Sequence, residues 1–150
     1  MNFELMIETF PKLLSGLNLT IQLVTISLFL GFCLAIGLAL LRLSNNTFLS
    51  LFAKTYIFYF RGTPLLVQIF LIYYGIAQFE LIREGFVWSF FKEAYWCAIL
   101  ALTLNTCAYS SEIIRGGIQS VPFGQIESAK STGMSGFLLY RRIILPIAFR

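Results

Sequence analysis

The sequence predicts an all-α integral membrane protein, and three observations carry that prediction. Hydrophobic residues make up 58% of the chain and charged residues 12%, with a mean hydropathy of +0.81; soluble domains carry about 25% charged residues. An uncharged run covers residues 13–41, longer than the roughly 20 residues a helix needs to cross the hydrocarbon core. Two more apolar stretches, 48–77 and 94–114, complete three spans in a single domain over residues 1–150.

Composition also narrows the chemistry. The chain has no histidine and all of its acids are glutamates, which removes histidine metal sites, the usual catalytic triads and proton-relay histidines. No metal and no cofactor is expected. Cys33, Cys97 and Cys107 lie in apolar runs without C-x-x-C spacing and are read as packing residues. A membrane enzyme ranks low, because no nucleophile and base pair is visible, and nucleic-acid binding has no support.

Before the first span, Phe3, Met6, Ile7 and Phe10 alternate with Glu4 and Glu8, an amphipathic pattern suited to lying along a membrane surface up to Pro11. Within the first span, Gly31, Ala35 and Ala39 recur every four residues. Such a stripe lets a second helix approach closely, although common small residues fall into that spacing by chance about as often. A polar turn at residues 42–47 leads into the second span, which Arg61-Gly62-Thr63-Pro64 interrupts. Proline has no N–H to donate and biases Thr63 away from helical geometry, so a kink or break is expected there.

Residues 80–93 read as extramembrane. Phe86, Trp88, Phe90, Phe91, Tyr95 and Trp96 around them form an interfacial aromatic belt. Sidedness follows from the cations: Lys12, Arg83 and Lys92 fall on one side, and the other eight of the 11 Lys and Arg on the opposite side. The positive-inside rule then places the N-terminus outside and the C-terminal stretch in the cytoplasm.

Polar residues at mid-membrane depth are functional candidates because they are costly there. Gln68 and Asn105 are expected at similar depth, with Arg61 and Glu112 roughly 10 Å further towards the cytoplasm. Gln68, Asn105 and Tyr109 can line a pathway for a polar or zwitterionic solute. Equally, Gln68 and Asn105 can simply hydrogen-bond neighbouring helices. Arg61, Glu112 and Arg115 are read as an inner gate or an ion pair: Glu112 can pair with Arg61 across helices or with Arg115 at i, i+3, and pairing is favoured because lone charges at that depth are expensive. Gly62, Gly116 and Gly117 are read as turn or backbone-approach positions.

Residues 122–146, PFGQIESAKSTGMSGFLLYRRIILP, break the membrane pattern. Gly124 is placed as the N-cap of a short helix with Glu127 in its first turn, near the positive end of the helix dipole. Gly133 suits a left-handed terminator. Ser135 then caps a second helix with Phe137, Tyr140, Arg141 and Ile144 at helical spacing, and Pro146 discourages its continuation. The product is a compact elbow. GQIESAKS resembles a phosphate-binding G-x-x-x-x-G-K-[ST] loop, but Ala129 replaces the second glycine, an apolar helix precedes it and no aspartate is present. ATP binding by this chain is therefore rejected.

Glu127, Ala129, Gly133, Ile143, Leu145 and Pro146 follow the spacing E-x-A-x(3)-G-x(9)-I-x-L-P. This resembles the EAA loop of type I ABC-importer permeases, with Ser128 where most members have alanine. Gly124 and Gln125 before it, RGTPLLVQ at 61–68 and AYSSEIIRGGI at 108–118 are similar to the polar amino-acid branch, the glutamine, arginine or histidine uptake type. The resemblance implies three N-terminal transmembrane helices followed by a cytoplasmic coupling helix in the cell inner membrane. Gly124, Gln125, Glu127, Ser128, Ala129, Gly133, Ile143, Leu145 and Pro146 would dock on an ABC ATPase subunit dimer.

The same resemblance implies a periplasmic or extracellular solute-binding protein, a permease homodimer or heterodimer, and a polar amino-acid substrate. The permease performs no covalent chemistry, and a partner chain hydrolyses ATP. Family members continue beyond the Leu-Pro pair with two more spans, so the resemblance implies that this chain is a product cut short after the loop, a split subunit completed by another polypeptide, or a fragment. The rival expectation is a truncated membrane protein that only occupies the ATPase or a partner permease.

Overall fold

The structure is a computed structural model that describes residues 3–149, with the side chains of 3–8 and 12 excepted. It is helical throughout its ordered elements. Helix α1, Phe3–Leu43, is 41 residues long, about 60 Å at 1.5 Å per residue. Pro11 lies inside it, so the expected boundary there does not form. The amphipathic pattern assigned to Phe3 through Glu8 rests on side chains outside the described residues.

Asn46 caps α2, Thr47–Gly62, its side chain accepting from Phe48 N at 3.0 Å. The helix ends at Thr63, which is extended (φ −109°, ψ 140°) as the following proline demands. Pro64 then starts α3, Leu65–Phe70, which runs on as a π-helical turn, Leu71–Gly75. The two arms meet at 105°. Of the kink or break expected at Pro64, the structure shows a full break. Two helices, α1 over Thr9–Leu43 and the later Ala94–Gln119, are each long and apolar enough to span a membrane, and the bent pair makes a third if it counts as one.

Short helices α4, Glu80–Arg83, and α5, Trp88–Phe91, form the expected connection. Phe90 and Tyr95 both meet the Trp96 ring edge-on. Helix α6, Ala94–Gln119, extends five residues past the expected end at Ile114.

The main packing seam joins α1, α2 and α6. Ala35, Leu38, Ala53, Ile57 and Cys107 are buried together there. Gly31 explains the closeness: a Cβ on it would come within 2.8 Å of Thr106 Cβ. The small-residue stripe is therefore the contact surface of α1, with Ala35 and Ala39 fully buried. Cys97 and Cys107 are buried as expected, whereas Cys33, also read as a packing residue, is exposed.

Three elements close the chain: α7, Phe123–Ser131; α8, Gly136–Leu139, continued by a π-helical turn Tyr140–Ile144; and α9, Leu145–Ala148. They fold back on the end of α6 around a second buried cluster of Val121, Ala129, Leu139 and Ile144.

Candidate functional site

The elbow starts differently from the sequence expectation. Pro122, not Gly124, is the N-cap of α7, and Glu127 lies beyond the first turn. Proline wins because its fixed φ (−59° here) is already set for entry, and its carbonyl accepts from Gln125 N at 3.0 Å. Glu127 therefore gains little from the helix dipole, which fades within a turn. Its carboxylate stands on the exposed face beside Ser128, while Ala129 points inward.

The other end of α7 is closed by a double hydrogen bond. Gly133 N donates to Lys130 O at 2.9 Å and Met134 N to Ala129 O at 3.0 Å, a Schellman arrangement that needs a left-handed residue between helix and exit. Gly133 supplies it with φ +83°. Met134 packs back on the cluster that contains Ala129. A small alanine at 129 fits this seat.

After Gly136 (φ +50°) the chain turns helical again, with Ser135 at the N-cap but no side-chain cap bond. Phe137, Tyr140 and Arg141 are exposed, so the expected apolar face is not the one that packs. The π-helical turn is the cause: its wider winding brings Leu139 and Ile144, five residues apart, onto one inward face. Pro146 does not end the helix. It sits in the first turn of α9, where a missing N–H is tolerated after the widened turn. Ile143 is half-buried against the cluster, and Leu145 and Pro146 are exposed.

Gly117 binds the elbow to the membrane helix. A Cβ there would lie 2.8 Å from Ala148 O, whereas Gly62 and Gly116 have open space. Of the three glycines grouped together from sequence, only Gly117 marks a close approach. A shallow groove of about 370 Å³ runs along the elbow, lined by Gly124, Gln125, Ser128 and Ala129 from α7 and by Ile143 and Ile147 from the turns that follow.

Gln68 and Asn105 meet at the break. Pro64 has no N–H for Phe60 O, its natural acceptor one turn back. Gln68 Nε2 donates to that carbonyl at 2.8 Å, and also to Thr63 O at 3.0 Å and Thr63 Oγ1 at 2.8 Å. Asn105 Nδ2 donates to Gln68 Oε1 at 3.2 Å and to Phe60 O at 3.3 Å. The two amides replace the bond that proline removes, and they join α2, α3 and α6 at one point. Gln68 is buried at 3% exposure.

Arg61 and Glu112 are not paired with each other. Glu112 accepts from Arg115 Nε at 3.0 Å and Nη2 at 2.8 Å, one turn along α6, and Arg115 also donates to Gln119. The i, i+3 pair forms because both ends share one helix, whereas Arg61 would have to bridge two. Its guanidinium lies instead over the Tyr109 ring, 5.3 Å from the centroid. Arg61, Tyr109 and Glu112 line an open cleft of about 430 Å³ together with Arg42 and Lys54. Sequence reasoning did not bring Arg42 and Lys54 to this place; the seven-residue spacing of Lys54 and Arg61 on one helix was the available signal.

Against known families, residues 23–150 match the binding-protein-dependent transport system inner membrane component. The chain belongs to this family. It is 57% identical over 143 residues to the octopine transport system permease protein of Rhizobium radiobacter, covering 95% of this chain and 58% of that protein. It is 56% identical to the nopaline transport system permease protein of Agrobacterium fabrum, over 100% of this chain and 63% of that one. The histidine/lysine/arginine/ornithine transport system permease protein of Escherichia coli is 43% identical, over 91% of this chain and 58% of its own length.

Among solved structures, an amino acid ABC transporter crystallised with histidines superposes with TM-score 0.84 at 36% identity, over 99% of this chain and 65% of that one. The chain spans about three fifths of the curated relatives it matches. The type I permease fold expected from the loop motif is therefore the fold of this family member, and the elbow and the broken helix both lie inside the matched region.

Proposed function

We propose that the chain is the N-terminal part of a permease subunit in an ATP-driven importer of polar amino acids, working as a homodimer or heterodimer. The observation that carries the reading is the elbow, whose helices pack around Ala129 and whose last helix lies against α6 at Gly117. Glu127 and Ser128 face outward for a partner ATPase dimer, while Ala129, Gly133 and Ile143 hold the shape. The name of the Escherichia coli relative, a histidine/lysine/arginine/ornithine transport system permease, supports an amino-acid solute, and a separate solute-binding protein would deliver it from outside. The N-terminus lies outside and the elbow in the cytoplasm. ATP hydrolysis belongs to the partner.

Coupling then has a material route. A displacement of the elbow is passed to α6 through the Gly117 and Ala148 contact. Asn105, on the same helix about 18 Å from Gly117, holds the α2/α3 break through Gln68. Two conformations of this connection, biased by ATP at one end and solute at the other, are what alternating access requires. In this scheme Gln68 and Asn105 shape the pathway, and Tyr109 faces it beside Arg61, with the Glu112 and Arg115 pair towards the inner end.

The test is uptake of labelled arginine, histidine and glutamine in cells that lack their polar amino-acid permease and receive this protein with its ATPase and binding protein. Energy-dependent accumulation of one of them is the expected result. Insertion and ATPase binding with no uptake of any solute would favour a non-transporting interaction protein instead.

A further inference from the structure

Residues 128–150 carry Lys130, Arg141, Arg142 and Arg150 and no acid, a charge that neither the coupling role of the elbow nor the break uses. Arg141 and Arg142 are exposed on the π-helical turn and stand outside the one ion pair among the described residues, that of Glu112 with Arg115. Four positions before them, one helical turn away, are Phe137, 79% exposed, and Leu138, also exposed. Leu139 and Ile144 turn inward to the buried cluster, so the outward face joins two cations to two large apolar side chains. Water suits the cations alone.

The contact with α6 sets the depth of this face. Helix α6 is 26 residues long, about 39 Å, against a hydrocarbon core of about 30 Å. Its last turn therefore reaches the headgroup layer, and Gly117 in that turn lies against Ala148. Arg141 and Arg142 precede Ala148 by seven and six residues, which keeps them within about 10 Å of that level. Arginine side chains extend along apolar surface to place their charge at such an interface.

We infer that the outer face of α8 and of the π-helical turn after it is a docking surface for anionic phospholipid. Arg141 and Arg142 meet the phosphates, and Phe137 and Leu138 enter the boundary between headgroups and acyl chains. Basic and large apolar residues on one helical surface are the combination an anionic bilayer attracts. Glu127 and Ser128 stand on α7, the other arm, so lipid and ATPase engage different faces of the elbow. The inference goes beyond the permease reading and takes from it only the leaflet, the cytoplasmic one.

The experiment compares hydrogen exchange over residues 137–149 of the purified protein in nanodiscs of phosphatidylcholine and of phosphatidylcholine mixed with phosphatidylglycerol. Slower exchange with phosphatidylglycerol is expected there, and no change over residues 80–91, where Glu80 and Glu84 outweigh Arg83. Titration of the detergent-solubilised protein with each lipid, read by native mass spectrometry, gives the magnitude. Arg141→Gln and Arg142→Gln should each weaken phosphatidylglycerol about fivefold, the order of one basic side chain at an anionic surface, and leave phosphatidylcholine unchanged. Arg141→Lys and Arg142→Lys keep the charge and should keep the preference. Equal exchange in the two nanodiscs overturns the inference, as does a phosphatidylglycerol preference that survives both Gln exchanges together. Equal slowing by inorganic phosphate in phosphatidylcholine alone also overturns it, in favour of a free anion. Loss of ATPase association in the Gln variants without any lipid preference overturns it in favour of a protein partner. Uptake reports on the permease reading separately: a lipid preference without uptake keeps the surface and removes the transport role, and uptake without a lipid preference does the reverse.

Discussion

Exchange of Gly117 for alanine tests whether the elbow is fastened to α6 or merely lies near it. The new Cβ would sit 2.8 Å from Ala148 O, and ordinary contact begins at 3.4 Å. The obstacle is backbone, so no side chain can rotate aside and α9 must move by several tenths of an ångström. Overpacking of this kind costs about 1–3 kcal/mol, while replacing glycine by alanine in a helix returns about 1 kcal/mol. Gly116→Ala carries the same gain into open space. Gly117→Ala is therefore expected to lose about 1 kcal/mol and Gly116→Ala to gain up to about 1 kcal/mol. Unfolding of the two purified variants in the same detergent measures the difference, and hydrogen exchange at residues 145–148 shows where it arises. Equal stabilisation by both exchanges would refute the fastening.

Three further outcomes follow from the same contacts. Gly133→Ala meets no neighbouring atom but must adopt φ +83°, so it should cost about 1–2 kcal/mol, with Gly133→Asn recovering part of this, as seen by unfolding. Gln68→Leu leaves Phe60 O and Thr63 O short of donors; a cycle with Asn105→Leu should show a coupling of about 0.5–2 kcal/mol, and additivity would separate the two amides. Gly31→Val should force α1 away from Thr106 and lower the unfolding midpoint by more than Gly37→Val, where nothing lies within 4 Å.

The break and the elbow were legible for different reasons. Pro64 announces the break because one residue both lacks a donor and restricts its predecessor, a purely local effect. Gly133 is equally local, since only glycine enters the left-handed region cheaply. What escaped was set by packing. Pro146 looked like a stop, but the widened Tyr140–Ile144 turn absorbs its missing N–H and turns Leu139 and Ile144 inward. Assignment of the N-cap to Gly124 failed because Pro122 fits that position equally well and precedes it. The Gln68 and Asn105 contact crosses 37 positions of sequence; matching depth could suggest it, but the shared acceptor Phe60 O emerges only when the arms are placed at 105°. Of the two pairings the sequence left open for Glu112, the local one with Arg115 forms, while Arg61 shares the cleft unpaired with it.

The central claim, that the elbow transmits ATP-driven movement, is tested most directly by Glu127→Lys in the complete transporter reconstituted into proteoliposomes, with ATP hydrolysis and solute uptake measured together. The exchange reverses the charge of an exposed side chain and leaves the buried seat of Ala129 alone. The account predicts normal membrane insertion, with uptake per ATP hydrolysed falling steeply. An unchanged ratio in a variant that still assembles with its ATPase would contradict it.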